Sequence, residues 1–203
     1  MAGQRHSPLT LVVLGLLAER PMHPYLMSQL ITQRGKDSIA NVSQRNSLYQ
    51  VIERLVRSGL VEVETTERAD NRPERTVYRI TDAGLTTTKE WILGLLGADQ
   101  REYPAFPAAL SLIALVGPAA AHAALTDRRT ALQQRQDAAT AAHDAAIAMG
   151  LPHLFLLDDE YALALLDAEL RWLDGILAEF ASGELDWSAE WIAEVAAKFE
   201  PEK

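Results

Sequence analysis

Residues 47–64, SLYQVIERLVRSGLVEVE, hold two structural periods within eighteen residues. Stepping about 100° per residue, Leu48, Val51, Ile52, Leu55 and Val56 fall in one apolar arc, the pattern of a helix with one face in a core. The opposite arc collects Ser43, Asn46, Gln50, Glu53, Arg54 and Arg57, with Ser47 and Tyr49 at its edges. These are hydrogen-bonding groups rather than the Glu/Lys mixture of a plain solvated face. Gly59 suits the left-handed backbone that closes a helix. Beyond it Val61, Val63 and Thr65 alternate with Glu62 and Glu64 in the two-residue period of a strand.

Working outward, residues 9–19 (LTLVVLGLLAE) are apolar nearly all round, as expected of a helix buried on most sides. RPMHPY breaks that helix, and Pro24 is placed to begin a second one with Leu26, Met27, Leu30 and Ile31 facing inward, ending near Gly35. The polar connection KDSIANV leads to the third helix, expected over residues 43–58. Two strands follow, over 60–66 and 75–81, joined by ERADNRPE, in which Asp70, Asn71 and Pro73 form turns. Thr81 or Asp82 then caps a fourth helix that ends at Gly97. Three helices and a hairpin in about ninety residues, the third helix presenting a polar face, is the order of a winged helix-turn-helix domain.

The totals agree with a globular chain: 203 residues, 48% hydrophobic, no cysteine. Disulfides, thiolate metal sites and cysteine nucleophiles are excluded. A basic start before the apolar run at 9–18 resembles a short signal peptide, but Leu16 breaks the small-x-small cleavage pattern ahead of Ala18. Pro118 interrupts the next most apolar stretch, 108–121, well short of the ~20 residues a membrane span requires. The expectation is a soluble, cytoplasmic protein without membrane contact. The net charge of −9 is unevenly spread: residues 1–97 hold 12 Lys and Arg against 10 Asp and Glu, whereas the remainder holds 7 against 18. Such asymmetry points to separate jobs for the two halves.

The second half reads as helices alone. A short one spans FPAALSLIALV, and a long alanine-rich one covers 118–149, with Leu125, Leu132, Ala139 and Ala146 every seven residues. In 154–182, Leu163, Leu166, Leu170, Leu173, Leu177 and Phe180 follow the 3-4 spacing of a coiled-coil seam, which demands a partner helix. LDWSAEWIAEVAAKF closes the chain, with Trp187, Trp191 and Val195 four residues apart. The expected fold is therefore mainly α: a winged helix-turn-helix over 1–97, three helices plus a β-hairpin wing, followed by an all-helical, coiled-coil-like dimerisation domain over 98–203.

NSLYQVIERLVRSGLVEVE followed by NRPERTVYRITDAG resembles the winged-helix signature of PadR-type transcriptional regulators. The likeness covers residues 9–97 and is carried most specifically by Leu48-Tyr49, Leu55, Gly59-Leu60, Tyr78-Arg79 and Thr81-Asp82-Ala83-Gly84. Asn46-Ser47 stands where the signature often has Gly-Thr, and MHPY where many members have Gly-Tyr, so no operator sequence is carried over. The resemblance implies a homodimer, usually a repressor, whose helical C-terminal region dimerises and often responds to a small ligand. Residues 98–203 look like the longer version of that region through length, helicity and the YPAFPAALS segment.

On this reading the DNA-facing residues are Tyr25, Ser43, Arg45, Asn46, Ser47, Tyr49, Gln50, Arg54 and Arg57, joined by Arg68, Arg72 and Arg75 of the wing. Asn46 and Gln50 suit paired bonds to adenine, Arg45 or Arg54 suit guanine or phosphate, and the wing arginines suit phosphates or a minor-groove edge. Glu53 opposes this unless it accepts from a cytosine amine or pairs with Arg54 and Arg57; Glu67, Asp70 and Glu74 dilute the wing. With a net charge of only +2 on the first half, a dimer reading a palindromic duplex has to supply much of the affinity. Trp91 is the candidate contact for a small aromatic effector, because some relatives stack planar ligands on a tryptophan of this helix; its spacing favours packing. His122, His143 and His153 lack metal-binding spacing, and no phosphate loop, nucleophile elbow or HExxH occurs, so no metal, cofactor or enzymatic activity is expected. The alternative class is a winged helix used to dock another protein.

Overall fold

The computed structural model describes residues 7–36, 45–67, 75–99 and 103–199. The chain forms two compact units, Met1–Arg101 and Glu102–Lys203.

In the first unit, α1 (Pro8–Glu19) starts where Ser7 accepts the Thr10 N–H at 3.3 Å with proline in the first turn. α2 (Pro24–Gln33) and α3 (Arg45–Arg57) follow, then the antiparallel strands β1 (Val61–Glu67) and β2 (Arg75–Ile80), then α4 (Asp82–Gly97). Leu9, Val13, Leu14, Leu16 and Leu17 of α1 meet Met27 and Ile31 of α2, Leu48, Val51, Ile52 and Leu55 of α3, and Val61 in one core. Each fully buried aliphatic contributes roughly 1.5–3 kcal/mol, which is why α1 can be apolar all round. Val56, placed by periodicity in the apolar arc, is 36% exposed: it lies at the arc's edge, where the core no longer reaches.

Gly59 takes φ 71°, and the Leu60 N–H returns to the Leu55 carbonyl at 3.0 Å, so α3 closes and β1 starts immediately. The expected alternation along β1 does not run unbroken. Val61 pairs with Ile80 and Val63 with Tyr78, but Thr65 pairs with Val77, leaving Glu64 as an extra residue in a bulge. The α1–α2 connection also joins the wing: Met22 and Tyr78 exchange backbone bonds of 3.0 and 3.1 Å, a one-residue third strand that sequence periodicity does not reveal.

An Arg34–Glu19 ion pair ties the end of α2 to the end of α1. The Arg34 hydrogen bond holds the Glu19 carboxyl below its usual range, against an opposing effect of burial. Both side chains are about half exposed, so solvent screening keeps the pair's contribution under ~1 kcal/mol. The sign follows from the lowered carboxylate: the stabilisation is present above the ordinary carboxyl range and lost as pH falls through the lowered one. Glu19→Gln is expected to cost a few tenths of a kcal/mol at neutral pH in low salt, the difference closing in strong acid; thermal melts of both proteins across pH check this.

In the second unit, α5 (Ala105–Leu110) and a 3-10 turn at Ile113–Leu115 replace the single short helix expected there. α6 (Pro118–Ala148) and α7 (Leu157–Ser182) run antiparallel, linked through a 3-10 turn at His153–Phe155, and α8 (Ala189–Lys198) follows. Leu125 and Leu132 of α6 pack with Leu166, Leu170 and Leu173 of α7, flanked by Phe106, Leu110, Ile113, Ile176, Leu177 and Phe180. The partner that the leucine seam demanded is thus α6 of the same chain. Of the six seam residues expected to dimerise, Leu166, Leu170 and Leu173 are buried within the single chain, while Leu163, Leu177 and Phe180 are half-buried. Arg128 reinforces the helix pair, donating to Glu169 at 2.6 Å while its guanidinium lies 3.6 Å from the centre of the Phe106 ring. Trp187 donates from its indole nitrogen to the Val116 carbonyl at 2.9 Å.

Candidate nucleic-acid interface

The outward side of the first unit is built by α2, α3 and the wing. At the start of α2 the His23 Nδ1 accepts the Leu26 N–H at 3.1 Å, so Nδ1 carries no proton and the ring proton sits on Nε2. The His23 ring stacks on Tyr25, 6.2 Å between centroids, and Tyr25 is 59% exposed, its hydroxyl accepting from Gln29 at 3.4 Å. His23 is absent from the expected site, although a proline at the first helical position, Pro24, signals a cap just before it.

On α3 the four buried positions Leu48, Val51, Ile52 and Leu55 fix the rotation of the helix. The rotation leaves Tyr49 (51% exposed), Gln50, Glu53, Arg54 and Arg57 outward and Ser47 half-buried. Arg54 is not drawn to Glu53: its Nε donates to the Gln50 carbonyl at 3.3 Å, laying the guanidinium along the helix surface. Tyr78 of β2 lies near Tyr49 and Glu53. Burial holds its phenol above the usual range, with a bond to Thr76 acting the other way and Glu53 and Tyr49 adding to the rise. Arg79, the wing cation beside it, is paired with Glu62.

Tyr25, Ser47, Tyr49, Gln50, Arg54 and Arg57 are therefore all on described parts of the surface or its margin. Arg45 and Asn46 belong to α3 and Arg75 to β2 by backbone, but their side chains lie outside what is described, and Ser43, Arg68 and Arg72 lie outside the described residues altogether. Trp91 of α4 is half-buried and packs against the first unit's core.

A trihelical core, a third helix with an outward polar face, and a hairpin stitched to the α1–α2 connection define a winged helix-turn-helix domain. Residues 13–90 match the family model described as "Transcriptional regulator PadR-like family", so that segment carries a PadR-like domain. Solved structures share the fold. Bacillus subtilis PadR in complex with operator DNA is 18% identical, over 85% of this chain and 98% of that one, with a TM-score of 0.68. The same organism's PadR in complex with p-coumaric acid gives 18%, 85%, 98% and 0.67. The Vibrio cholerae virulence activator AphA gives 20%, 86%, 98% and 0.66. No curated protein matches the chain. Among the described residues no helix is long and apolar enough to cross a membrane.

Proposed function

We propose that this protein is a homodimeric repressor that reads a palindromic operator in double-stranded DNA and is released by a small aromatic effector. The observation that carries the reading is the rotation of α3: its apolar arc is buried, so Tyr49, Gln50, Arg54 and Arg57 face outward together beside the wing. Those side chains are the types that bond base edges and phosphates, on the helix that a winged helix-turn-helix places in the major groove. Arg54, lying along the helix on the Gln50 carbonyl, reaches a phosphate or guanine by exchanging one acceptor for another.

Support for pairing comes from the end of α6, the connection after it and the first turns of α7. Ile147, Met149, Leu154, Phe155, Tyr161 and Leu165 are exposed there, more large apolar surface at one end of a helix pair than an isolated domain usually leaves in water. An effector that shifts this unit would misplace two reading heads relative to half-sites roughly 34 Å apart. Trp91, half-buried against the first unit's core, is the residue we assign to contact such a ligand; p-coumaric acid, which one structural relative binds, is the first compound to try.

The test is to recover bound fragments from random duplexes and titrate the winner in a gel shift. Tyr49→Ala and Arg54→Ala are each expected to weaken binding by about 1–3 kcal/mol, roughly 5- to 150-fold, without changing the molecular mass in solution. Wild-type affinity should fall steeply and linearly, log against log, with salt. Recovery of no enriched sequence at low salt would leave the protein-docking alternative standing; full affinity in both variants would remove α3 from the contact.

A further inference from the structure

Thr81 stands where three elements of the first unit meet. Its backbone N–H donates to the Leu60 carbonyl at 3.0 Å. Its hydroxyl donates to the Gly59 carbonyl at 2.8 Å and accepts the Gly84 N–H at 2.9 Å. The hydroxyl's one proton and one of its lone pairs are thus both committed. Gly59 and Leu60 are the turn between α3 and β1, Thr81 itself follows the last residue of β2, and Gly84 lies in the first turn of α4. The contact is also tight: a Cβ on Gly84 would sit 2.0 Å from the Leu60 carbonyl oxygen. Thr88, 3% exposed, donates to the Gly84 carbonyl at 2.7 Å and braces the same turn from within.

Capping α4 needs only the acceptor half of that hydroxyl. The donor half reaches across to the turn where α3 becomes the wing, a turn whose glycine is free to bend. We propose that Thr81 is a positioning residue for DNA reading: its bond to Gly59 fixes the angle between α3 and the wing. The proposal rests on the DNA-reading function above. A helix in the groove and a hairpin beside it engage together only if their mutual angle is already set, and each loses effective concentration when the other wanders. Sequence-specific binding, which needs both in register, suffers more than loose attraction to any duplex.

The test uses the full chain, the recovered operator and a random duplex of equal length. Thr81→Val keeps the shape and removes both bonds. Thr81→Asp keeps an acceptor for the Gly84 N–H, and so the cap, but has no proton for Gly59. Thr81→Ser keeps both. At a temperature where circular dichroism shows each protein folded, the ratio of operator to random affinity is expected to fall roughly tenfold in the Val and Asp proteins and to stay within about twofold in the Ser protein. The added charge of Asp weakens both duplexes alike and cancels in the ratio; if the Val protein does not fold, the Asp protein carries the test. An unchanged ratio in the folded Asp protein overturns the proposal while leaving DNA reading intact. A wild-type protein that enriches no duplex overturns both.

Discussion

Gly84→Ala is expected to lower the stability of the N-terminal unit by about 3 kcal/mol or more, at or beyond the upper end of ordinary overpacking. The new methyl carbon would fall 2.0 Å from the Leu60 carbonyl oxygen, 2.9 Å from its carbon and 2.8 Å from Ile80 Cγ1. Two of those three atoms are backbone, so relief cannot come from a rotamer change. α4 has to lift off the α3–β1 turn, and the bonds from Thr81 to Gly59 and Leu60 go with it. Gly94 on the same helix is the control: nothing lies within 4 Å of its hypothetical Cβ, and alanine there should stabilise the helix by up to ~1 kcal/mol. Urea unfolding of the three proteins separates them by midpoint. A Gly84→Ala midpoint equal to wild type would mean that α4 does not lie on that turn in solution.

The second large effect lies in the other unit. Leu173 is fully buried between α6 and α7, and Leu173→Ala is expected to cost about 2–5 kcal/mol, the lost transfer energy of the removed methyls plus the cavity they leave. Leu165 is eight residues earlier on α7 yet 54% exposed, so Leu165→Ala should leave unfolding of an isolated copy nearly unchanged. If a second copy covers that outer face, the same substitution weakens self-association in sedimentation equilibrium. The pair of variants thus separates holding α6 to α7 from holding copy to copy. A Leu173→Ala protein that unfolds like wild type, with Leu165→Ala strongly destabilised, would invert the assignment of inner and outer faces.

What could be read from the amino acids follows from what repeats. Residues 48–56 repeat at the helical period, so both the buried arc and the outward face of α3 were legible, and the core closes over four of the five positions assigned to it. Val56 escaped because a period gives direction but not how far a core extends. The 3-4 spacing on α7 states that a partner helix exists without stating on which copy, and the fold supplies it at Leu125 and Leu132 of α6. Met22 pairs with Tyr78 through a single residue, which has no period at all. Thr81 was readable as a cap from Thr-Asp-Ala-Gly, but its bond to Gly59 joins residues 22 apart and leaves no local trace. His23 carries a weak signal in the sequence because histidine is an uncommon cap, though the proline after it asks for one.

The odd residue at Glu64 divides the hairpin into an inner half, sewn to Met22 and to α4's cap, and an outer half whose facing is decided afresh beyond it. The extra residue is what sets Thr65 opposite Val77 and Thr66 opposite Thr76; in an unbulged ladder Glu64 would stand opposite Val77 and every side chain of β1 beyond it would turn to the other face, since a strand inverts its faces with every single-residue slip. Exchanges of sequence past Thr65 leave the anchored base untouched. The arm is in effect a replaceable tool on a fixed handle, able to vary in what it touches while its mounting stays the same.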